Sequence, residues 1–296
     1  MVEIDALIIG AGPAGLAAAI YLKRAGVSFL LLDKGAPGGK LNNIHEVGNM
    51  PGFLPLSGYD LAVSLYKSVE ANGVELTYGE VLSVKKESAL FAVHTDMDDY
   101  LVKGIIVATG FVYQPLIPGE KELQNHGVSY CATCDGPLYK GQEVLVYGEG
   151  SRAEEEASYL SSVCSKVYFL SKGEDDGKEV PANVERLFRA EVTALKPEGA
   201  EIVAKTRLDG AEKEITVKAV FPLYGEKSAL SFLGGLGVEE ERGFIVADDT
   251  MATSVEGLYA AGDIAKKGLR QVVTALSDGA VAGNALAAYL RRKKRG

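Results

Sequence analysis

Two cysteines in the middle of the chain carry the clearest chemistry in the sequence. Cys131 and Cys134 bracket an Ala-Thr pair, and Asp135 follows directly. Thiols at this spacing close to a disulfide and open to a dithiol, which exchanges two electrons and lets the second thiol resolve a mixed disulfide formed by the first. The alternative, half of a structural zinc site, needs four Cys or His ligands, and the only other cysteine is Cys164, with three histidines scattered elsewhere. The motif therefore predicts a redox site and no metal.

A glycine-rich turn near the start of the chain predicts a dinucleotide site. Residues 10–15 read Gly-Ala-Gly-Pro-Ala-Gly, between an apolar strand pattern and a helical pattern. Gly10 permits a tight turn, Gly12 lets the backbone approach a pyrophosphate, and Gly15 lets the helix pack closely on the strand. Asp33 ends the next predicted strand, where a carboxylate can hydrogen-bond a ribose hydroxyl. The alternative is an ordinary βα turn that contains glycine.

Further along the chain, two features predict segments that bind a ligand. The stretch 38–52 is rich in Gly and Pro, and long ordered loops of this kind are frequently binding loops. A buried strand pattern ends in Thr109-Gly110, whose small residues would let a ligand lie across the strand end. A second strand, glycine turn and helix begins at residue 143 and repeats the first unit at a coarse level.

These elements predict an α/β fold with two Rossmann-like three-layer dinucleotide-binding domains, the second inserted into the first. Pro115 and Pro118 mark a linker, so we place the first boundary near residue 114. The strand patterns after residue 243 return to the first sheet. The predicted domains are residues 1–114 with 242–296, and residues 115–241, which carry the cysteine pair.

Length and composition exclude several classes of protein. The chain has 296 residues and a net charge of −9, which argues against nucleic acid as a main partner. No segment approaches the roughly 18 uninterrupted apolar residues of a membrane span, and the early strand pattern leaves no room for a secretory signal. Three cysteines do not make a disulfide framework of the secreted kind. We therefore expect a cytoplasmic protein without a membrane partner.

Taken together and in order, the motifs resemble one family along nearly the whole chain, the low-molecular-weight thioredoxin reductases. The matching segments are residues 10–15, 38–41 (Gly-Gly-Lys-Leu), 49–52 (Asn-Met-Pro-Gly), 108–110 (Ala-Thr-Gly), 131–136 (Cys-Ala-Thr-Cys-Asp-Gly), 260–263 (Ala-Ala-Gly-Asp) and 270–275 (Arg-Gln-Val-Val-Thr-Ala). The resemblance implies FAD in the first domain, with Asp263 at the ribityl and pyrophosphate region. The FAD-binding residues that it implies are Gly10, Gly12, Pro13, Ala14, Gly15, Asp33, Lys34, Gly39, Lys40, Leu41, Asn49, Ala108, Thr109, Gly110, Gly262, Asp263, Arg270, Gln271 and Val272, of which Asn49, Arg270 and Gln271 would lie close to the isoalloxazine.

The resemblance also implies roles for the cysteine motif. Cys134 would face the flavin and take its electrons, while Cys131 would attack the disulfide of a thioredoxin. Asp135 would be the acid/base that moves the accompanying proton, which requires a carboxyl close to the thiols; a turn or helix-cap role is its alternative. The family further implies a homodimer, and a second domain that rotates to present the disulfide alternately to the flavin and to the protein substrate.

The sequence departs from the family in the nicotinamide site of the second domain. The family holds NADPH with a glycine turn, a His-Arg-Arg cluster, a further arginine and a Gly-His-x-Pro-Asn segment. Here those places read Gly-Glu-Gly at 148–150, Ser-Lys-Gly at 171–173 followed by Glu-Asp-Asp, and Gly-Glu-Lys-Ser-Ala at 225–229. Each lost charge-assisted hydrogen bond removes about 1.5 to 3 kcal/mol, and the acids would repel a polyanion. NADH would want an acid where Ser171 stands, and Glu174 could serve only if the strand ends later.

We therefore expect an electron donor other than NADPH, with ferredoxin foremost. Members of the family with degraded nicotinamide sites use ferredoxin, and a flavin accepts electrons singly as well as in pairs. An acidic ferredoxin would need a local basic patch, for which Lys266, Lys267 and Arg270 are candidates. NADPH or NADH as the donor, and a flavin-binding redox sensor without turnover, are the alternatives. Cys164 lies in an apolar helix-end context typical of a buried, inert thiol.

Overall fold

The structure is a computed structural model that describes residues 2–113, 115–124, 126–175, 177–224, 226–227, 230–241 and 243–294. The chain forms two compact units, the first made of Met1–Val112 and Lys227–Gly296, and the second made of Tyr113–Glu226. In sequence, the second unit is inserted into the first, and the first crossing lies close to the predicted linker.

The second boundary differs from the prediction, which began the returning part of the first unit at residue 242. The structure assigns the chain from Lys227 onward to the first unit. The reason is packing, because Leu230, Phe232 and Leu233 are buried in the same apolar cluster as Ile105. The sequence shows that these residues are apolar, but it does not show which of the two hydrophobic cores they join.

The chain contains runs of consecutive strands as well as helices that follow single strands. The strands are β1 (Val2–Ile9), β2 (Phe29–Asp33), β3 (Leu76–Tyr78), β4 (Val81–Glu87), β5 (Leu90–Thr95), β6 (Asp99–Val107), β7 (Val112–Tyr113), β8 (Glu143–Tyr147), β9 (Lys166–Leu170), β10 (Val184–Leu187), β11 (Ala190–Glu198), β12 (Glu201–Leu208), β13 (Ala211–Val217), β14 (Ala219–Pro222), β15 (Glu226–Lys227), β16 (Glu240–Glu241), β17 (Phe244–Ile245) and β18 (Leu258–Ala260). The helices are α1 (Pro13–Arg24), α2 (Gly58–Ala71), α3 (Ala132–Asp135), α4 (Gly150–Ser161) and α5 (Val272–Lys293).

The first unit is built on a sheet in the order β3-β2-β1-β6-β5-β4, with β18 also paired to β6. Strands β1, β2, β6 and β18 run parallel, and their register aligns Ile9 with Leu32 and Val107, and Val107 with Ala260. Their carboxyl ends therefore meet at one edge of the sheet. Helices α1 and α5 pack against each other so closely that a Cβ added at Gly279 would lie 2.0 Å from the Ala14 carbonyl oxygen.

The second unit repeats the parallel arrangement on a smaller scale. Its sheet has the order β10-β9-β8-β14, with neighbouring strands parallel. Tyr147 lies in register with Leu170 and with Pro222, so these strand ends also meet at one edge. The predicted hairpin-rich stretch forms the separate antiparallel sheet β11-β12-β13. The chain thus has the predicted α/β fold with two Rossmann-like halves.

Among the residues that the structure describes, no helix combines the length and the apolar character that crossing a membrane requires.

Candidate active site

The glycine turn of the first unit leaves no room for side chains on one side and is open on the other. Gly10 has φ +108°, and a Cβ there would lie 2.4 Å from the Ala108 carbonyl oxygen. A Cβ at Gly15 would lie 1.8 Å from the carbonyl oxygen of Gly10, whereas one at Gly12 would meet nothing within 4 Å. Gly12 is also the N-cap of α1 without a side-chain cap, and Pro13 follows it. The first-turn amides of α1 therefore face open space, as an anion site requires.

Asp33 lies at the end of β2 and ties two turns together. Its Oδ2 accepts a hydrogen bond from the Ala11 amide at 2.6 Å, and its Oδ1 accepts one from the Gly35 amide at 2.8 Å. Each carboxylate oxygen has a further lone pair, so the predicted ribose contact stays a prediction. Lys34, by contrast, pairs with Glu80 at 2.8 Å through a side chain that is 70% exposed.

The glycine-rich loop at residues 38–52 lies against this turn. The Gly38 amide donates to the Ala11 carbonyl at 2.8 Å, and a Cβ on Gly39 would lie 3.4 Å from the Cα of Gly12. Leu41 is buried below the loop. Two polar contacts then reach across the chain. Lys40 Nζ lies 3.5 Å from Asp263 Oδ2, and Asn49 Nδ2 donates to Gln271 Oε1 at 2.8 Å; Val272 then begins α5.

The end of β6 carries an unusual polar atom. Among the residues that the structure describes, Thr109 Oγ1 is the one buried side-chain N or O atom without a hydrogen-bond partner. Ala108 precedes it against the glycine turn, and Gly110 follows with φ +65° and open space around its Cβ position. An unsatisfied buried hydroxyl costs about 1 to 3 kcal/mol. The open glycines and this hydroxyl at one sheet edge fit a bound polar group such as a dinucleotide.

The turn after β18 lies at the same edge. Gly262 has φ +83°, and its amide donates to Asp278 Oδ2 at 3.1 Å. A Cβ on Gly262 would lie 2.8 Å from the Cβ of Ala14 in α1. Arg270 Nε donates to the Asp263 carbonyl at 3.4 Å. The structure therefore brings the segments at 10–15, 39–41, 108–110 and 262–272 together.

Two aromatic residues beside this site were not predicted. The rings of Phe111 and Phe244 stack with centroids 4.9 Å apart, Arg270 lies 3.9 Å from the Phe244 centroid, and Lys40 lies 5.4 Å from that of Phe111. Both rings are buried. A row of two rings between two cations is stabilised by cation–π attraction. No spacing in the sequence relates these four residues, since only the tertiary fold brings them together.

The predicted basic patch is not supported by the structure. Lys266 Nζ lies 2.5 Å from Glu241 Oε2. Lys267 pairs with Asp278, and both of these side chains are largely buried. Arg270 lies on Phe244, as described above. An acid neutralises each lysine, so the two lysines do not form a patch of free positive charge. The acids that pair with them come from distant positions, which the sequence pattern did not reveal.

In the second unit, the cysteine motif forms a compact turn. Cys131 is disulfide-bonded, and the side chain of Cys134 lies outside the described residues. Asp135 ends α3, and its Oδ2 accepts a hydrogen bond from Ser129 Oγ at 2.6 Å. The same Ser129 oxygen accepts from the Cys131 amide at 3.2 Å. Burial raises the pKa of Tyr139, and the nearby Asp135 charge raises it further. The Asp135 carboxyl group is thus linked through the Ser129 hydroxyl to the backbone of Cys131.

Two carboxylates form hydrogen bonds that hold the cysteine turn in place. Glu156 on α4 accepts a hydrogen bond from the Ala132 amide at 2.8 Å. Glu120, which is 1% exposed, accepts from the Leu116 and Ile117 amides at 2.9 Å each and from the Tyr130 hydroxyl at 2.8 Å. Glu120 therefore links Tyr130, the residue before Cys131, to the backbone of residues 116–117, near the start of the unit.

At the carboxyl edge of the second sheet, where a nicotinamide nucleotide would bind, the chain's own polar side chains lie close together. The Tyr224 hydroxyl accepts a hydrogen bond from the Lys172 amide at 3.1 Å. Its ring lies 4.4 Å from that of Tyr147. Burial raises the pKa of Tyr224, and the nearby Glu149 carboxylate raises it further, so Tyr224 stays a neutral phenol. Lys172 Nζ pairs with Glu191 at 2.9 Å, and Arg207 shares the same carboxylate at 3.3 Å.

The acids that follow β9 do not replace the missing ribose ligand. The strand ends at Leu170, so Ser171 holds the position of Asp33 and accepts from the Gly173 amide at 3.1 Å. Glu174 lies farther along and pairs with Arg189 at 3.1 Å. Asp176, Gly225, Ser228 and Ala229 lie outside the described residues, as do the side chains of Glu226 and Lys227.

Cys164 is a free, buried thiol, as predicted, and burial raises its pKa. The part of the chain that the structure describes contains no cluster of three or more His, Cys, Asp or Glu able to hold a metal ion.

The chain is similar in sequence to known proteins. The family model described as pyridine nucleotide-disulphide oxidoreductase matches residues 4–279. The chain belongs to this family. A thioredoxin reductase of Bacillus subtilis (strain 168) is 36% identical over 303 residues, which cover 97% of this chain and 94% of the relative. The protein is therefore a homologue of the low-molecular-weight thioredoxin reductases.

Solved structures with a similar fold support this family assignment. The thioredoxin reductase of Streptococcus pyogenes MGAS5005 superposes with a TM-score of 0.89 at 33% identity, covering 98% of this chain and 99% of the other. A ferredoxin-flavin thioredoxin reductase from Clostridium acetobutylicum superposes with a TM-score of 0.59 at 28% identity, covering 100% of both chains. The match extends over both units of the fold.

Proposed function

We propose that this protein is an FAD-dependent reductase of thioredoxin-type protein disulfides. The observation that carries the proposal is the cysteine motif, in which Cys131 is disulfide-bonded and the Asp135 carboxylate is hydrogen-bonded within the same turn. A buried thiol that served only packing would need neither the disulfide nor the carboxyl. The family and the thioredoxin reductase relatives support the same activity.

The first unit would hold the FAD. The open amides of α1 after Gly12 would take the pyrophosphate, and Asp33 the ribose. Thr109 Oγ1, which has no partner among the described residues, would gain one. The group supplies two electrons for disulfide reduction. Asn49 and Gln271, already hydrogen-bonded to each other, would border its ring system.

The cysteine motif would pass the electrons onward. Cys134 would accept them, Cys131 would attack the disulfide of the protein substrate, and Asp135 would move the accompanying proton. The Asp135 carboxylate is held by Ser129, so it is already oriented within the turn.

For the donor, we propose a one-electron carrier such as ferredoxin in place of a nicotinamide. The support is the edge of the second unit, where Glu149 stands in the glycine turn and Lys172 is paired with Glu191. A polyanionic cofactor would meet the Glu149 carboxylate there. The ferredoxin-flavin thioredoxin reductase among the similar structures is consistent with such a donor. NADPH is the competing donor, because the B. subtilis relative is named simply a thioredoxin reductase.

We also propose a homodimer, for which an apolar groove on the first unit offers a surface. It encloses about 370 Å³ between α1, α2 and α5, and is lined mostly by apolar side chains such as Leu16, Ile20 and Leu65. Tyr21 and Val273 on its rim are 45% and 43% exposed. A second copy would cover these side chains, and sedimentation analysis would measure the assembly.

A coupled assay tests the activity. The purified flavoprotein, reduced by ferredoxin, should reduce a thioredoxin over many turnovers, whereas a redox sensor would take up electrons once and stop. Cys134→Ser should keep bound FAD and lose turnover, since the disulfide is gone. Cys164→Ser is the matched control and should retain full rate, because this thiol is buried and free. Turnover by Cys134→Ser would contradict the assignment.

A further inference from the structure

Ser129 lies two residues before the first cysteine, and the sequence pattern gave it no role. Its side chain is buried, at 6% exposure. Its amide donates to the Val220 carbonyl at 3.0 Å, which fixes its backbone to strand β14. Its hydroxyl is therefore aimed from a rigid strand end into the cysteine turn.

The hydroxyl has one proton and a choice of two acceptors. Asp135 Oδ2 lies 2.6 Å away and the Cys131 carbonyl oxygen lies 3.4 Å away. One lone pair of Oγ is already used by the Cys131 amide at 3.2 Å. A serine hydroxyl can donate once and accept twice. The second lone pair of Ser129 Oγ can therefore accept a further hydrogen bond.

These contacts serve both protonation states of Asp135. When Asp135 is a carboxylate, Ser129 donates to it. When Asp135 is a carboxylic acid, its O–H can donate to Ser129 Oγ, and the serine proton turns to the Cys131 carbonyl. The carboxyl group keeps a hydrogen bond, and therefore its place, before and after proton transfer.

We propose that Ser129 is the positioning residue that holds Asp135 through its protonation cycle, an inference that rests on the proposed function. Reduction of the disulfide breaks the S–S bond and adds two electrons, supplied by a reduced flavin, and two protons to give two thiols. Asp135 delivers one proton to a departing sulfur and is reprotonated from solvent, which also provides the other. Ser129 touches the acid and the peptide of Cys131, and so acts through Asp135.

The other titratable groups around this turn come from two elements. Tyr139 follows on the next turn, and burial together with the Asp135 charge raises its pKa, so it remains neutral. Glu156 and Tyr159 face the turn from α4, with Glu156 bonded to the Ala132 amide and Tyr159 beside Gly136. No cation from these elements replaces the serine contact among the described residues.

The test compares Ser129→Ala with Ser129→Thr, which keeps the hydroxyl, in the FAD-loaded protein. Ser161→Ala is the matched control, because that exposed hydroxyl only bonds the Ser158 carbonyl. Infrared difference spectra, with the Asp135 bands assigned by their loss in Asp135→Asn, report the hydrogen bonding of the carboxyl group. Ser129→Ala should shift the frequencies of the Asp135 bands, because the hydroxyl partner is lost, while the other two variants keep them.

The same variants are then assayed for thioredoxin reduction with reduced methyl viologen, which removes the question of the natural donor. Ser129→Ala should lower kcat about tenfold with KM unchanged. Unshifted infrared bands of Asp135 would overturn the role of Ser129, whatever the activity. Shifted bands with an unchanged rate would instead overturn the role of Asp135 in the proposed function. Flavin content and thermal unfolding show whether Ser129→Ala remains folded.

Discussion

The two glycine turns of this protein share one backbone hydrogen bond and then diverge. In both, the first glycine amide donates to the end of the next strand, Gly10 to Leu32 at 2.7 Å and Gly148 to Leu170 at 3.0 Å. The second glycine has φ −73° in the first turn (Gly12) and φ +76° in the second (Gly150), and Glu149 stands where the first turn has Ala11. A repeated fold therefore does not imply a repeated ligand, because the backbone conformation and the side chains of the turn decide whether it can accept an anion.

The third position of the turns gives the largest expected difference. Gly15→Ala would place a Cβ 1.8 Å from the Gly10 carbonyl oxygen, so helix and strand would have to separate. We expect a loss of about 3 kcal/mol or more in unfolding free energy and little bound FAD. The second turn already carries Ala153 at this position. Chemical denaturation and the flavin absorbance of the purified protein measure both effects; a stable yellow variant would contradict the close packing.

The second position separates binding from folding. Gly12 has φ −73° and open space at its Cβ position, so Gly12→Ala should fold normally. The added methyl group would stand where the pyrophosphate must approach the backbone, and we expect FAD affinity to fall by about 10- to 100-fold, or roughly 1.4 to 2.7 kcal/mol. Flavin titration of the apoprotein gives the affinity. Affinity equal to the wild type would show that the phosphate lies elsewhere.

A substitution at the nucleotide-binding edge of the second unit should have a smaller effect. Glu149→Ala removes one carboxylate near Tyr224 but restores none of the missing arginines. NADPH binding should therefore improve by at most about tenfold, from a very weak starting value. Isothermal titration with NADPH measures it, with Glu174→Ala as the control acid that pairs with Arg189. Tight binding to either variant would mean that this edge still holds a nicotinamide nucleotide.

The smallest predicted effect compares ion pairs in the two units. Hydrogen bonds from Lys103 and Lys294 hold the pKa of Asp5 below its usual value. Because the folded-state pKa is lowered, this stabilisation is present above the unfolded pKa near 3.8 and is lost as pH falls through the folded value. Asp5→Asn should cost about 1 kcal/mol at pH 7 and little at the lowest pH. Glu191→Gln, whose side chain is 41% exposed, should cost less.

Much of the fold followed from sequence because it rests on local signals. The glycine turn needed Gly10 and Gly15 where a Cβ has no room, and apolar runs marked the buried strands. The stacked Phe111 and Phe244, the acids that neutralise Lys266 and Lys267, and the second unit boundary did not follow. Each of these depends on residues that are far apart in the chain and meet only in the folded state.

The cysteine site was predicted in part for the same reason. Cys131 and Asp135 stand in one short motif, so their proximity follows from spacing alone. Ser129 also lies nearby in sequence, but its role depends on strand β14 holding its amide and thereby aiming its hydroxyl. A pattern of residue types in the sequence does not show in which direction this hydroxyl points.

The most direct test of the contrast between the two units is anaerobic stopped-flow mixing of the oxidised flavoprotein with each donor. Reduced ferredoxin should bleach the visible flavin absorbance and then reduce the Cys131 disulfide, while NADPH and NADH at the same concentration should leave the flavin oxidised over the same time. Rapid bleaching by NADPH would contradict the account, because it would require a working nicotinamide site despite the Glu149 carboxylate in the turn.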